Sequence, residues 1–127
     1  MSELRLLLVE DNELNRDMLS RRLKRAGFEA LIAEDGAKAL ACIEAHRPAL
    51  VLLDMNLPVI DGWSVCRQVR ANQDIADTPI IALTAHAMPE DRDKALVAGC
   101  DDYATKPIDF PALLEKIRRL LERHNDQ

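Results

Sequence analysis

Short apolar segments recur along the chain in a pattern that suits the strands of a buried parallel sheet. The segment at residues 4–9 has one polar interruption, and those at 49–53 and 79–83 have none. Strands that helices cover on both faces show this almost continuous apolar pattern. Segment 28–33 is a weaker pattern, with Glu29 inside it, and segment 100–105 is weaker still, which suits strands at the edges of a sheet.

Helical patterns separate these segments. Asn12, Asp35 and Asp109 are suitable N-caps for three helices, a shorter pattern covers residues 63–69, and Pro89 suits the first turn of another. Apolar residues recur at helical spacing within these patterns. In the first helix, which we expect to end near residue 26, the residues predicted to share one apolar face are Leu14, Met18, Leu19 and Leu23.

Strict alternation of strands and helices over the chain predicts an α/β fold with right-handed crossovers. With the first, third and fourth strands in the centre, the predicted order is 2-1-3-4-5. This is a flavodoxin-like, doubly wound, five-stranded parallel sheet with five helices on two faces. We expect residues 1–127 to form one domain, with a core of about residues 4–123.

Composition narrows the function only slightly. The net charge of −5 argues against direct nucleic-acid binding, which needs a basic surface. The three cysteines and three histidines are dispersed, so they suggest no metal site and predict buried thiols in a reducing compartment. Because the sequence contains neither a secretory signal pattern nor an apolar stretch long enough for a membrane span, we expect a cytoplasmic protein.

Polar residues follow four of the predicted strands. Glu10 and Asp11 follow the first strand, Asp54 the third and Thr84 the fourth, while Lys106 follows the fifth. Parallel strands bring their carboxyl ends to one edge of the sheet, where open α/β sheets bind ligands. Singly, each of these residues is more commonly a cap or a solvated charge, and the prediction depends on their joint placement.

This group of residues predicts a particular chemistry. Converging carboxylates repel one another, and hard oxygen ligands without histidine or cysteine favour Mg²⁺. A lysine and a hydroxyl at the same edge could bind an anionic group. An aspartate in such a site can act as a nucleophile and form an aspartyl phosphate.

The chain resembles the receiver domain of response regulators in two-component and phosphorelay signalling, over nearly its whole length. The matching segments are Val9-Glu10-Asp11-Asn12, Leu53-Asp54-Met55-Asn56-Leu57-Pro58, Asp61-Gly62, Thr84-Ala85 and Lys106-Pro107. The resemblance implies that Asp54 is the phosphoacceptor and that Lys106 pairs with the phosphoryl group. It also implies that Mg²⁺ binds Asp11, Asp54, the backbone carbonyl of Asn56 and, through water, Glu10. The Lys106–Pro107 peptide is expected to be cis.

The resemblance further implies a switch. Thr84 would move toward the phosphoryl oxygens. Tyr103 matches the aromatic switch position, and the alternative interpretation is an edge-strand aromatic that packs on the fourth or fifth helix. The two interpretations of Tyr103 are compatible. Asn56 and His86 match positions that tune phosphate lifetime, and for His86 an ordinary loop histidine is the alternative. The output face would be the fourth helix, fifth strand and fifth helix. Charges expected to be exposed on the fifth helix could form a dimer face or only a solvated surface, and they include Lys116, Arg118, Arg119 and Glu122.

The implied partners are a histidine kinase or a histidine phosphotransfer protein and an output protein of unknown identity. Glu13, Leu14, Asn15 and Met18 would contribute to docking. The chain ends favour a free single-domain regulator, whereas the segment from Glu10 to Asn15 resembles receivers in phosphorelays and hybrid kinases. In either case we expect a signalling switch rather than an enzyme. Two other classes fit the sequence less well. An aspartate-nucleophile phosphatase would need a second aspartate where Asn56 stands. A flavin carrier would need a phosphate-binding loop rich in Ser, Thr and Gly after the first strand, where this chain has Glu10 and Asp11.

Overall fold

The computed structural model describes residues 4–85 and 89–125, which form five strands and five helices in strict alternation. The elements in chain order are β1 Arg5–Val9, α1 Glu13–Arg25, β2 Glu29–Ala33, α2 Gly36–His46, β3 Leu50–Asp54, α3 Gly62–Ala71, β4 Ile80–Thr84, α4 Pro89–Ala98, β5 Asp102–Thr105 and α5 Phe110–Asn125.

The five strands form one parallel sheet in the order β2-β1-β3-β4-β5, as predicted. The predicted N-caps Asn12 and Asp35 accept hydrogen bonds from backbone N–H groups of the first turns of α1 and α2. The third helix is longer than predicted, because Asp61 caps it from the preceding loop through the N–H of Ser64.

The central strands are buried on both faces, and successive side chains point to opposite sides of the sheet. Leu6 and Leu8 of β1 belong to an apolar cluster completed by α1 and α5. Leu7 and Val9 belong to a second cluster, which α2 and α3 complete. The uninterrupted apolar pattern of these strands therefore reflects two separate cores on a shared sheet.

The first helix departs from its predicted burial. Leu19 and Leu23 are buried, but Leu14 is 79% exposed and Met18 is 51% exposed. The prediction that all four share one face was therefore wrong for Leu14 and Met18, because at 3.6 residues per turn this pair lies about 140° around the helix from Leu19 and Leu23. Among residues 4–85 and 89–125, no helix combines the length and apolar character needed to cross a bilayer.

Candidate functional site

Three carboxylates meet at the carboxyl edge of the sheet. Glu10 and Asp11 follow β1, and Asp54 ends β3, the strand that pairs with β1. One oxygen from each of the three carboxyl groups lies within 4.8 Å of the others. Glu10 and Asp54 are almost fully buried, whereas Asp11 is exposed. The site therefore has two carboxylates in its floor and one at its mouth.

Lys106 neutralises part of this charge. Its Nζ lies 3.1 Å from Oδ2 of Asp54 and 3.2 Å from Oε2 of Glu10. Burial alone would lower the pKa of this lysine, but the hydrogen bonds and charges of Asp54 and Glu10 raise it above its ordinary value. The lysine is thus a fixed cation that contacts both buried carboxylates.

The first turn of α1 also holds Glu10. Asn15 donates from Nδ2 to Oε1 of Glu10 at 3.3 Å, and Arg16 donates to the backbone carbonyl of Glu10 at 3.1 Å. Burial, together with the hydrogen bond and charge of Asp54, raises the pKa of Glu10 above its ordinary value, and Lys106 opposes this shift. Both carboxyl oxygens of Glu10 therefore already accept hydrogen bonds from side chains.

Asp54 is positioned by the backbone of the loop that follows it. The N–H of Asn56 donates to Oδ1 of Asp54 at 3.0 Å. Gly62, at the start of α3, packs against the same segment: a Cβ added there would lie 2.6 Å from the carbonyl oxygen of Asp54 and 2.7 Å from Cα of Met55. The absence of a side chain at Gly62 therefore lets α3 approach the end of β3.

Thr84 ends β4 beside Asp54, and its hydroxyl-bearing side chain is buried. The N–H of Lys106 donates to the carbonyl of Thr84 at 2.7 Å, and the predicted cis Lys106–Pro107 peptide is confirmed. The backbone therefore ties the lysine to the strand that carries the predicted switch hydroxyl.

Tyr103, one strand further out, is half-buried against the cluster formed with α2 and α3. Lys116 of α5 donates to the carbonyl of Tyr103, and its Nζ lies 4.8 Å from the centre of the tyrosine ring. The expectation that Lys116 is an exposed charge was wrong, because this cation is half-buried against the ring. Sequence spacing alone does not predict that side chains of β5 and α5 are in contact.

The structure thus brings Glu10, Asp11, Asp54 and Lys106 to one place, with Thr84 on the adjoining strand. His86 lies outside the described residues. The contacts of Asn15 and Arg16 with Glu10 depend on the turn between β1 and α1 and are not predicted by the residue pattern, which places Asn15 only near a docking surface.

A cavity of about 490 Å³ opens beside the site, between α1 and the segment that joins β5 to α5. Met18 and Ile108 contribute apolar walls, and Asn15 and Lys106 reach the acidic site from it. The cavity has room for a partner side chain.

The donor set fits a hard divalent cation. Several carboxylate oxygens converge, and histidine and cysteine are absent from this group of ligands, which favours Mg²⁺ over softer metals. Asp11 and Asp54 would be its direct carboxylate ligands. Glu10 would act through water, since Asn15 and Lys106 already occupy both of its oxygens.

Comparison with known proteins agrees with this geometry. A model of the response regulator receiver domain matches residues 6–118, and the chain therefore belongs to this family. Response regulator MprA from Mycobacterium sp. (strain KMS) is 42% identical over 94% of this chain and 51% of its own length. The polar-differentiation response regulator DivK from Brucella anthropi is 35% identical over 91% of this chain and 94% of its own length. The chain thus spans about half of MprA but nearly all of DivK.

Two solved structures are also similar. The receiver domain of the sensor histidine kinase PA1611 from Pseudomonas aeruginosa, which has a magnesium ion in its active-site cleft, superposes with a TM-score of 0.88 at 37% identity and covers 94% of this chain and 98% of its own. The receiver domain of Ssk1 from Saccharomyces cerevisiae was crystallised with the phosphotransfer protein Ypd1. It superposes with a TM-score of 0.83 at 32% identity, over 91% of this chain and 87% of its own. The chain is a receiver domain of two-component signalling.

Proposed function

We propose that Asp54 accepts a phosphoryl group from a phosphohistidine of a histidine kinase or phosphotransfer protein, with Mg²⁺ bound beside it. The observation that carries this proposal is the contact of Lys106 with the buried carboxylates of Asp54 and Glu10, with Asp11 within ligand distance. The arrangement supplies a nucleophile, a cation site and a fixed ammonium group at a single position.

In the proposed transfer, an oxygen of Asp54 bonds to phosphorus while the bond from phosphorus to the donor imidazole nitrogen breaks. Mg²⁺ would supply positive charge to the phosphoryl oxygens when bound, with Asp11, Asp54 and the Asn56 carbonyl as its protein ligands. Lys106 would transfer its hydrogen bond from Asp54 to a phosphoryl oxygen. The N–H of Asn56 would keep the acceptor carboxylate oriented.

Exposed apolar residues around the acceptor support docking of a protein donor. Leu14 and Met18 project from α1, and the cavity beside them reaches Lys106. Val59, in the loop that follows Asp54, is 80% exposed. Apolar side chains on an open surface beside a reactive group suit contact with another protein.

We also propose that Asn56 and His86 tune the lifetime of the phosphoryl group.

The proposed output follows from Thr84 and Tyr103. Phosphoryl contacts with Thr84 would favour one of two states of β4 and β5, and the ring of Tyr103 would report the change to α4 and α5. Val97 of α4 is 89% exposed and Leu96 is 44% exposed, which supplies apolar area for an output protein. The protein would act in the cytoplasm as a switch that promotes its own phosphorylation and dephosphorylation.

Intact-protein mass after incubation with acetyl phosphate tests the proposal. We expect one phosphoryl adduct that requires Mg²⁺, is lost in Asp54→Asn, and is retained in Asp17→Asn, a control at an exposed carboxylate of α1. An adduct that persists in Asp54→Asn would contradict it. If wild type shows no adduct, binding of beryllofluoride is measured next. Binding that requires Mg²⁺ and is abolished in Asp54→Asn would mean that the phosphoryl group forms and is hydrolysed rapidly. Absence of binding would refute the proposal.

A further inference from the structure

Two of the three cysteines lie in contact although 34 residues separate them in the sequence. Cys66 lies on α3, and Cys100 lies between α4 and β5; their sulfur atoms are 3.4 Å apart, with Cys100 as the hydrogen-bond donor. Cys66 has no exposed surface, and Cys100 is 5% exposed. Both residues belong to the same buried apolar cluster, and their sulfur atoms are in direct contact within it.

The backbone around Cys100 is held against α3 by several contacts. Gly99 adopts a φ of +106°, and a Cβ there would lie 2.8 Å from Cγ of Arg70. Arg70, one turn after Cys66, donates from Nε to the carbonyl of Gly99 at 2.8 Å. The N–H of Cys100 donates to the carbonyl of Ala95 at 3.0 Å. The pair of sulfurs is therefore held by fixed backbone positions on both sides.

Charge near the pair distinguishes the two thiols. The hydrogen bond from Cys100 lowers the pKa of Cys66; burial opposes this effect, and the guanidinium group of Arg70 adds to it. The pKa of Cys100 is raised by its hydrogen bond to Cys66 and by burial. Since the thiolate is the reactive form of cysteine, these directions favour Cys66 as the attacking thiol and Cys100 as the resolving thiol.

We propose that Cys66 and Cys100 form a redox modification site that a peroxide oxidises to an intramolecular disulfide. The Cys66 thiolate attacks one peroxide oxygen and the O–O bond breaks, which gives a sulfenic acid and, after protonation, water. The sulfur of Cys100 then attacks the Cys66 sulfur and displaces hydroxide, which takes up the Cys100 proton as a second water. Overall, two thiols and one hydrogen peroxide give one disulfide and two waters.

The disulfide would join α3 to the segment that leads into β5, the strand that carries Tyr103. It would also restrict the C-terminal end of α4, because Cys100 follows that helix directly. Because the pair is buried, peroxide reaches it only through local opening of this segment, and oxidation is expected to be slower than at Cys42, which is partly exposed. The inference does not depend on phosphoryl transfer at Asp54.

The experiment treats the full chain with hydrogen peroxide, unfolds it in the presence of an alkylating agent, and maps tryptic peptides by mass. Arg67 and Lys94 lie between the two cysteines, so a disulfide appears as two joined peptides that separate on reduction. The Cys42→Ser variant serves as the main sample, because only the pair remains in it. Cys66→Ser and Cys100→Ser serve as controls, and circular dichroism checks that each sample stays folded.

We expect joined Cys66 and Cys100 peptides in wild type and in Cys42→Ser, with the loss of two hydrogens per chain, reversal by dithiothreitol and a raised Tm. The joined peptides should be absent from Cys66→Ser and from Cys100→Ser. The proposal is overturned if folded Cys42→Ser keeps both thiols open to alkylation after unfolding, or if its oxidation yields only sulfinic acids or links between chains. This outcome does not require Cys66→Ser or Cys100→Ser to fold.

Discussion

The ammonium nitrogen of Lys106 lies 3.1 Å from Oδ2 of Asp54, although 52 residues separate the two in the sequence. Parallel pairing of β3 with β4 and of β4 with β5 produces this contact, since it brings the ends of all three strands to one edge. The N–H of Lys106 is also bonded to the carbonyl of Thr84 at 2.7 Å. The lysine is therefore a cation fixed by backbone beside the proposed nucleophile.

Lys106→Met should slow phosphorylation by acetyl phosphate by about 10²–10³-fold, because it removes a preorganised charge from the position of the phosphoryl oxygens. Mg²⁺ binding should persist or tighten, since a competing cation is lost. The rates are measured by intact mass over time at saturating Mg²⁺. Lys38→Met, at an exposed lysine of α2, should match wild type. An unchanged rate in Lys106→Met would contradict the role of this contact.

Thr84→Ala should bind beryllofluoride but lose the structural response, because the switch hydroxyl contributes after the phosphoryl group is in place. Tyr103 is the only tyrosine in the chain, so fluorotyrosine labelling gives one ¹⁹F resonance that reports on β5. In wild type this resonance should shift when beryllofluoride and Mg²⁺ are added. In Thr84→Ala the shift should be much smaller, and Thr84→Ser should restore it. A full shift in Thr84→Ala would remove Thr84 from the switch.

Ionisation of Glu10 should destabilise the metal-free protein as the pH rises from the acidic to the neutral range. Burial and Asp54 raise the pKa of Glu10 in the folded protein. The stabilisation that comes from protonated Glu10 is therefore fully present below the pKa of the unfolded chain and is lost as the pH rises through the pKa of the folded protein. Glu10→Gln removes this titration. The Tm of Glu10→Gln relative to wild type, measured in chelator, should therefore increase with pH. A difference in Tm that is independent of pH would contradict this assignment.

Added Mg²⁺ should reverse the destabilisation caused by the clustered carboxylates. A ligand that binds only the folded state at ten times its Kd adds about 1.4 kcal/mol to the free energy of unfolding. The increase in Tm should be smaller at low pH, where protons compete for the ligands. Asp11→Asn should lose most of it, and Asp17→Asn, a matched change on the surface of α1, should retain it. Equal stabilisation of all three proteins would argue against the proposed site.

The sequence predicted the sheet and its order because the apolar runs of β1, β3 and β4 are long and almost uninterrupted. Topology alone then brought Glu10, Asp11 and Asp54 together, which the structure confirms. The prediction for the first helix failed at Leu14 and Met18, since this pair lies about 140° around α1 from the buried pair Leu19 and Leu23.

Contacts between distant side chains could not be predicted in this way. Lys116 lies against Tyr103, and Cys66 against Cys100, because of the distances between particular helices and strands. Neither the 13-residue nor the 34-residue separation corresponds to a local structural period. The contact of Asn15 with Glu10 depends likewise on the turn between β1 and α1, whose shape the residue pattern does not specify.

Chemical trapping of the phosphoryl group tests the central claim most directly. Borohydride reduces an aspartyl phosphate to homoserine, so protein treated with acetyl phosphate and Mg²⁺, then with borohydride, can be digested and mapped by mass. We predict homoserine at residue 54 alone, none without Mg²⁺, and none in Asp54→Asn. Homoserine at residue 11, or a phosphorylated protein in which residue 54 remains aspartate, would contradict the assignment of Asp54 as the phosphoacceptor.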